Sequence, residues 1–441
     1  MNKNMSIERR ERISRRRFIA AAATTAAAPY IIPSSALGKA GTVAPSNRIN
    51  MGFIGTGGRG TSHLRSLVGS RETQLMAVCD PQKPKREGAK RHIENAYAKQ
   101  KAAGTYKGCE AYSDFRELIA RDDIDAVVVA SPEYWHALHM SMAAKAGKDV
   151  YGEKALSLTI DQGRALVDTV RRYGRVFQVG TQQRSGRNFR FACELARNGY
   201  IGKLSKVEVG VPGGRSLPNA EPCDPPPDLD YDMWLGPAPY TPYNKLKCSF
   251  NWYFIFDYCV GWIQSWGVHH CDIALWGAPS LMASTVKVSG TAVFPTDGIA
   301  DTSISWKTRF FTPDGLEYSF TDNRVHKQGC KFIGDKGWVH VNRGGIRAEP
   351  ASLLTTKLTP NDEHLYESKG HHQNFLECVK SRGETAAPVE AGHAATSISI
   401  VADIATRLGR ELTWDWKTET FINDDQANQM LRRPMRSPWC L

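Results

Sequence analysis

The chain has 441 residues, of which 41% are hydrophobic and 23% charged; this length allows two or three domains, and the composition excludes a collagen, a coiled coil and a wholly disordered chain. No apolar run reaches the ~18 residues that a membrane-spanning helix needs, so we expect no stable insertion into a membrane. Of the net charge of +12, residues 1–38 contribute seven cations and two anions, and the other lysines and arginines are scattered, so no nucleic-acid partner is expected.

The first 38 residues are interpreted as a targeting segment that takes no part in the fold. A basic stretch ends in SRRRFI at residues 14–19, an alanine-rich segment follows at 20–28, and small residues near Ala36 offer a cleavage site. This pattern resembles the twin-arginine signal, whose pathway exports proteins that are already folded. Prolines interrupt the short apolar segment, which disfavours a membrane anchor. We therefore expect a protein that is periplasmic or otherwise exported by this route, in which a linker, residues 39–47, precedes the first domain.

A nucleotide-binding motif follows the linker. Residues 49–54 predict a buried strand, the sequence GTGGRG comes directly after it, and residues 61–69 predict a helix. A second predicted strand, 73–79, ends at an acidic residue about 20 positions further on, which is the context that a dinucleotide-binding G-x-G-x-x-G requires. The glycines permit a tight turn, close approach of the pyrophosphate, and close packing of helix on strand. The predicted cofactor contacts here are Gly55, Thr56, Gly57, Gly58, Arg59, Gly60 and Asp80.

The acidic residue also bears on the choice of cofactor. Asp80 would accept a hydrogen bond from a ribose 2′-hydroxyl and repel a 2′-phosphate, which favours NAD over NADP. Lys83, Lys85 and Arg86 follow closely in the chain and could meet a phosphate. NADP therefore stays an open alternative.

Strands and helices continue to alternate as far as residue 181. Residues 124–130 and 149–152 predict further buried strands, and helices are predicted at 112–121 and 136–146. This alternation predicts a doubly wound parallel sheet, a Rossmann domain over residues 48–181, that binds its ligands at the carboxyl ends of the strands. Residues at or just beyond those ends are predicted to contact the cofactor: Ser131, Pro132, His136, Glu153 and Lys154.

The second half of the chain has a different character. Residues 212–248 are proline-rich and predicted to be irregular, whereas segments such as 284–293 and 302–311 alternate polar and apolar residues. Alternation predicts half-buried strands, so we expect a second α/β domain, 182–416, with a mostly antiparallel sheet covered on one face by helices. Residues 417–441 are interpreted as a tail. The ten cysteines include no CxxC pair and are expected to be mostly small buried side chains.

An aromatic segment and a histidine pair follow one another in this second domain. Residues 250–266 hold eight aromatic side chains; most would serve as core, but rings suit the C–H faces of a sugar, and Trp252 is expected to touch substrate. His269 and Asp272 lie three residues apart on a predicted helix and share one of its faces. Because no third ligand completes a recognisable motif, no metal is expected.

Together with the glycine motif, Glu153-Lys154 and the sequence WGVH at 266–269 carry a family resemblance. The chain resembles the Gfo/Idh/MocA family, named after glucose–fructose oxidoreductase, inositol dehydrogenase and a rhizopine catabolism protein, over about residues 48–416. The sequences GTQQR at 180–184 and WLGPAP at 234–239 are also similar to the family. The resemblance implies a Rossmann domain followed by a C-terminal α/β domain.

The resemblance also implies roles for individual residues. Lys154 would contact the substrate hydroxyl and the nicotinamide, and His269 would act as the acid–base group, so both are expected to be catalytic. The remaining expected contacts are Gln182 for the cofactor, and Arg184, Trp252 and Ser265 for the substrate.

Two positions depart from the family pattern. Ala155 replaces the proline that follows the lysine, which we expect to loosen the turn. Ser265 replaces the aspartate four residues before the histidine, so the usual carboxylate partner of His269 is missing and the proton relay must differ or be weaker.

The function that these observations imply is an exported NAD(P)-dependent oxidoreductase that transfers hydride between the nicotinamide and a hydroxyl-bearing carbon of a sugar, polyol or glycoside. We expect a tightly bound cofactor and a homo-oligomer. Two alternatives stay open: an NAD-dependent glycoside-cleaving enzyme that oxidises the sugar ring transiently, and a non-catalytic relic that binds sugar or nucleotide.

Overall fold

The computed structural model describes residues 47–441. The predicted export segment, residues 1–38, and nearly all of the predicted linker lie outside the described residues. Within the described part of the chain, no helix combines the length and the apolar character needed to cross a bilayer.

The first sheet has six strands: β1 Ile49–Ile54, β2 Thr73–Cys79, β3 Glu110–Tyr112, β4 Ala126–Val129, β5 Asp149–Gly152 and β6 Phe177–Val179. All neighbouring pairs are parallel, and the spatial order is β3-β2-β1-β4-β5-β6. The strand order reverses between β1 and β4, which is the point where doubly wound sheets bind ligands. The predicted Rossmann sheet is confirmed.

Six helices lie between these strands in the chain: α1 Gly58–Leu67, α2 Lys83–Ala96, α3 Ala98–Ala102, α4 Phe115–Ile119, α5 Glu133–Lys145 and α6 Ile160–Arg172. The helix predicted at 112–121 is wrong in its bounds, because β3 takes its first residue and α4 begins only after Asp114. The Asp114 carboxylate accepts a hydrogen bond from the N–H of Arg116 (2.8 Å) and so caps α4.

The second sheet has nine strands: β7 Leu204–Val211, β8 Thr285–Val293, β9 Ser305–Phe311, β10 Glu317–Asp322, β11 Gly329–Gly334, β12 Trp338–Asn342, β13 Gly345–Glu349, β14 Leu412–Asp415 and β15 Thr420–Phe421. The order is β13-β12-β11-β7-β10-β9-β8-β14-β15, and only β7 and β10 pair in parallel. Buried and exposed residues alternate along β9, as expected when one face of a sheet is covered. The mostly antiparallel second sheet is confirmed.

The other helices are α7 Arg187–Arg197, α8 Tyr231–Leu235, α9 Trp262–Ser265, α10 Gly267–Gly277, α11 His371–Ser381, α12 Val389–Leu408 and α13 Asp425–Gln429. Every residue of α10 is buried, because α10 lies between the second sheet and α7 and α12. A helix enclosed on all sides shows no polar face. This explains why α10 carries its two histidines into the interior.

Residues 417–441, predicted as a tail, are folded onto the rest of the chain. The ring of Trp439 lies 4.8 Å from that of Trp135, and Arg436 donates a hydrogen bond to the carbonyl of Gly236 (2.8 Å). Leu431 is buried as well. All ten cysteines are free and seven of them are buried, as the sequence predicts.

Candidate active site

A cleft of about 730 Å³ opens at the carboxyl ends of the strands in the first sheet. It gathers most of the predicted site residues: Gly55, Gly57, Gly58, Arg59, Asp80, Ser131, Pro132, His136, Glu153, Lys154, Gln182, Trp252, Ser265 and His269. Three predicted residues do not line it, namely Thr56, Gly60 and Arg184.

The glycine-rich turn has the geometry that a dinucleotide requires. Gly55 has a φ of +87°, and a Cβ there would lie 2.5 Å from the backbone nitrogen of Ser131. A Cβ on Gly60 would lie 2.0 Å from the carbonyl oxygen of Gly55, so Gly60 serves the packing of α1 against the turn. A Cβ on Gly57 would meet nothing within 4 Å, which leaves room beside the N-terminus of α1 for an anion.

Asp80 directly follows β2, and only 5% of its surface is exposed. Its carboxylate accepts hydrogen bonds from the backbone N–H of Thr56 (2.9 Å) and of Gln82 (3.0 Å). Thr56, predicted as a cofactor contact, therefore acts from behind the turn by holding this carboxylate. Lys85 also lines the cleft. A buried acceptor, an open anion-binding turn and sufficient volume fit a dinucleotide.

Lys154 enters the cleft directly after β5. Its ammonium nitrogen donates to both the side-chain and the backbone oxygen of Ser265, each at 3.0 Å. It also lies 6.0 Å from the ring centre of Tyr253. Ser265, which replaces the aspartate of the family pattern, thus supports the lysine and not the histidine.

Glu153 precedes the lysine, and its carboxylate accepts hydrogen bonds from Arg59 and His63. Its Oε1 accepts from Nε of Arg59 (2.7 Å) and from Nε2 of His63 (2.8 Å). Burial opposes ionisation, but the His63 hydrogen bond and the charges of Arg59 and Lys154 outweigh it and hold the pKa of Glu153 well below its usual range. Glu153 is therefore an anion that holds Arg59 at the cleft.

Ala155 does not loosen the turn, contrary to the expectation. Ala155 is fully buried, and its N–H donates to Oε1 of Glu133 (3.3 Å) while its carbonyl contacts Nδ1 of His136 at 2.6 Å. The other carboxylate oxygen of Glu133 accepts from the thiol of Cys259 (2.9 Å). These contacts fix the backbone on the C-terminal side of Lys154.

His136, predicted to contact the cofactor, has both ring nitrogens occupied by protein carbonyls. Nδ1 meets Ala155 and Nε2 meets the carbonyl oxygen of Ser131 at 2.7 Å. The residue lines the cleft but serves to position the backbone around it.

His269 projects from α10 towards the cleft. It is 6% exposed, and its Nδ1 is buried without a hydrogen-bond partner, so Nε2 is the nitrogen left for a substrate. Burial, together with the charges of Lys154 and Arg343, lowers the pKa of His269 well below its ordinary value. The imidazole is therefore neutral near pH 7 and able to accept a proton.

Arg184, predicted to contact substrate, is engaged elsewhere. Its Nε lies 2.9 and 2.8 Å from the two carboxylate oxygens of Asp272, and its guanidinium stacks on the ring of Trp276 at 5.0 Å. Asp272 is fully buried, so this ion pair is part of the interior that supports α10. Because the Asp272 carboxylate is bound to Arg184, it does not face the cleft together with His269, although the two residues are three positions apart on α10.

Sequence reasoning missed several residues of the cleft, Tyr253 and Arg343 among them, and it missed Glu133, which holds the backbone of Ala155 from the interior. Tyr253 belongs to the aromatic segment, so density of aromatic residues was a signal. Glu133 could have been suspected as the first residue of a helix at a strand end. The only signal for Arg343 is the Gly344-Gly345 pair behind it, which marks a turn.

The second histidine of the pair predicts a pH dependence of stability. Burial lowers the pKa of His270 to about 3, and Gln183 donates to its Nδ1 (3.1 Å). Unfolded histidine titrates near pH 6.5, so the stabilisation is fully present above that value. Below pH 6.5 the unfolded chain takes up a proton on His270 that the folded chain does not bind. The free energy of unfolding therefore falls by about 3 kcal/mol between pH 6.5 and 4.

Urea unfolding at several pH values between 7.5 and 4 measures this effect. The variant His270→Gln is expected to be less stable at pH 7.5 but to lose about 3 kcal/mol less on acidification than the unsubstituted protein. Equal losses in the two proteins would contradict the assignment of a buried, neutral His270.

Comparison with protein families places both halves of the chain. Residues 49–181 match the profile described as "Oxidoreductase family, NAD-binding Rossmann fold". Residues 214–441 match the profile described as "Oxidoreductase family, C-terminal alpha/beta domain". The second match alone covers more than half of the chain.

Curated relatives match over part of their length. "Glycosyl hydrolase family 109 protein 1" of Shewanella sp. (strain MR-4) is 32% identical over 190 residues, which are 42% of this chain and 40% of that protein. "Alpha-N-acetylgalactosaminidase" of Shewanella oneidensis is 30% identical over 178 residues, or 40% of this chain and 38% of that one. The matched stretch thus spans about two fifths of these relatives.

Solved structures share the fold at low identity. The scyllo-inositol dehydrogenase of Lactobacillus casei, with NAD(H) and scyllo-inositol, superposes with a TM-score of 0.56 at 17% identity over 84% of this chain and 99% of that one. The aldose-aldose oxidoreductase of Caulobacter crescentus, with glycerol, gives 0.59 at 17% identity over 82% and 99%.

Proposed function

The chain belongs to the Gfo/Idh/MocA oxidoreductase family, and on that premise we propose that it transfers hydride between NAD and a hydroxyl-bearing carbon of a sugar, polyol or glycoside. The observation that carries the proposal is one cleft in which Lys154, after β5, and His269, on α10, face the glycine-rich turn that follows β1. The cofactor would be held by Gly57–Arg59 and Asp80, and when bound it accepts or returns the hydride.

Lys154 would polarise the substrate hydroxyl. An ammonium group has three donors, and two of them are directed at the oxygens of Ser265. The third is free to donate to the hydroxyl oxygen that becomes negative as its proton leaves, which stabilises charge where it develops. Ser265 keeps the ammonium in place and leaves its charge unneutralised, whereas an aspartate at this position would neutralise it.

His269 would accept the hydroxyl proton through Nε2. A neutral imidazole is the form that can do so, and the burial of His269 favours that form. The positive charges of Lys154 and Arg343 disfavour the imidazolium, which makes His269 a weaker base than a histidine paired with a carboxylate. The relay would therefore be weaker than that of the family pattern, and Lys154 would supply more of the activation of the hydroxyl.

A second candidate function is NAD-dependent cleavage of a glycoside by transient oxidation of the sugar ring. The specific observation in its favour is the similarity of a 190-residue stretch of the chain to glycosyl hydrolase family 109 proteins. The same Lys154 and His269 would serve, because oxidation of a ring hydroxyl comes first in both cases.

The nature of the bound nucleotide and the product separate these functions. One sample of the full chain is denatured, and any released NAD or NADP is identified by mass. A second, native sample is assayed with free sugars and with para-nitrophenyl glycosides. We expect NAD, and either net formation of NADH from a free sugar or release of nitrophenol without net change in NAD. Protein that neither contains nor binds a nicotinamide nucleotide would contradict the proposal and favour the non-catalytic alternative.

Three further proposals rest on the sequence. The motif at residues 14–19 supports export by a twin-arginine route. Because this route exports folded proteins, it would allow the chain to carry a tightly bound cofactor with it. The family resemblance supports a homo-oligomer. Asp80 supports NAD over NADP, although Lys85 lines the cleft beside it.

A further inference from the structure

Arg343 lies in the turn between β12 and β13 and reaches the cleft from the second sheet. Its guanidinium stacks over the ring of Trp266 at 4.7 Å, and the Trp266 ring lies 5.5 Å from that of His269. The guanidinium therefore belongs to the same wall of the cleft as the proposed acid–base group.

Two amide side chains orient this guanidinium. Nε donates to the Oε1 of Gln183 (3.3 Å), and Gln182, with its amide turned to satisfy both neighbours, accepts from Nη2 (3.3 Å). Gln183 is buried and also donates to the backbone carbonyl of His269 (3.1 Å), which ties Arg343 to α10. Of the five donors of an arginine, three remain directed at the cleft or at solvent.

The charge of Arg343 is not balanced by an ion pair in residues 47–441. Its hydrogen-bond acceptors are neutral amides, and Glu153, the carboxylate that influences it, is bonded to Arg59 and His63. Arg343 is exposed overall, so water compensates its charge until a ligand covers it; the buried part of the guanidinium and the charge of Arg59 lower the pKa of Arg343. Lys154 adds a second cation, whose hydrogen bonds go to the uncharged Ser265.

We propose that Arg343 binds a carboxylate of the substrate, so that the preferred substrate is an acidic sugar such as a hexuronate or its glycoside. A planar guanidinium pre-oriented by neutral partners is suited to bidentate binding of a carboxylate. A neutral sugar would cover the guanidinium and leave its charge without compensation. This inference rests on the proposed function, because it names the substrate class of the same cleft.

Matched pairs of sugars test the proposal. D-glucuronate and D-glucose differ only in a carboxylate against a hydroxymethyl group, as do D-galacturonate and D-galactose. Isothermal titration of the full chain loaded with NADH, which cannot accept a hydride from the added sugar, is expected to give a Kd at least about tenfold lower for the uronate in one or both pairs, since a hydrogen bond to a charged group contributes at least that factor.

Variants assign the preference to this residue. Arg343→Gln is expected to abolish the preference for uronate, and Arg343→Lys to retain part of it. Arg347→Gln is the matched control, because Arg347 is exposed on the same hairpin and does not line the cleft; it should keep the full preference.

Two outcomes would overturn the proposal. In one, neither uronate binds more tightly than its neutral partner. In the other, Arg343→Gln weakens the binding of NAD while the ratio between uronate and hexose stays the same, which would assign Arg343 to the cofactor. Because binding is measured without turnover, a protein that binds uronate through Arg343 but transfers no hydride would contradict only the proposed function.

Discussion

Replacement of Lys154 by Met is expected to lower kcat/KM by roughly a thousandfold, within the range for loss of a positioned proton-donating group. The methionine side chain fills similar space but cannot donate to the oxygen of a substrate hydroxyl. Two hydrogen bonds to Ser265 are lost, yet Ser265 remains beside the solvent-accessible cleft. The free energy of unfolding should therefore change little.

Steady-state rates with the best substrate and urea unfolding measure the two effects. Lys145→Met is the matched control, because Lys145 is an exposed residue at the end of α5; its variant should be fully active. A Lys154→Met enzyme with undiminished activity would show that the assignment of the site is wrong. Lost activity with equally lost stability would instead indicate a structural role for the lysine.

Replacement of Glu133 by Leu is expected to cost both stability and activity. It leaves the buried N–H of Ala155 without its acceptor, and an unsatisfied buried donor costs about 1–3 kcal/mol. The backbone can regain part of this lost stability only if the N–H of Ala155 moves to another acceptor, and Lys154 would move with it. We expect a loss of about tenfold or more in kcat, because misplacement of a reacting group by ~1 Å is costly.

The proline of the family pattern provides the decisive second variant. Ala155→Pro removes the N–H that needs an acceptor, so the double variant Glu133→Leu with Ala155→Pro should regain most of the lost stability and activity. Glu133→Gln keeps an acceptor oxygen and should lie close to the unsubstituted protein. Cys259→Ala removes the thiol that donates to the other carboxylate oxygen and accepts from the N–H of Gly261; because the N–H of Ala155 keeps its acceptor, the loss of activity should be smaller than in Glu133→Leu.

Purely additive losses in the double variant would contradict this coupling. They would mean that Glu133 stabilises the site by its charge or its volume and not through the N–H of Ala155. Rescue would show that an alanine stands in the family's proline position because Glu133 accepts its hydrogen bond.

Motifs with a local mechanism were predicted well from the sequence. The strand, glycine turn and Asp80 of the first βαβ unit depend on neighbouring residues and on backbone geometry, so spacing alone located them. Periodicity distinguished the buried strands of the first sheet from the half-buried strands of the second. The helix predicted at 112–121 failed because a capping aspartate acts within one turn, at a scale that periodicity does not resolve.

Pairings between distant residues could not be predicted in this way. Arg184 carries the right charge for a substrate contact, but Asp272, 88 positions away, takes it as an ion-pair partner. Ala155 seemed a weakness because its acceptor, Glu133, is supplied by another element. A side chain's role depends on which donors, acceptors and charges the fold brings within a few ångströms of it.

The two sheets, the nucleotide turn, and the acid–base candidates Lys154 and His269 could therefore be predicted from the sequence, because each depends on local spacing or on a family motif. The groups around them became visible only in the folded chain: Ser265 supports the lysine, Glu133 accepts a hydrogen bond from the N–H of Ala155, and Arg343 enters the cleft from the second sheet. These contacts join segments far apart in the chain, and the strength of a hydrogen bond or an ion pair depends on distance and burial in the folded protein.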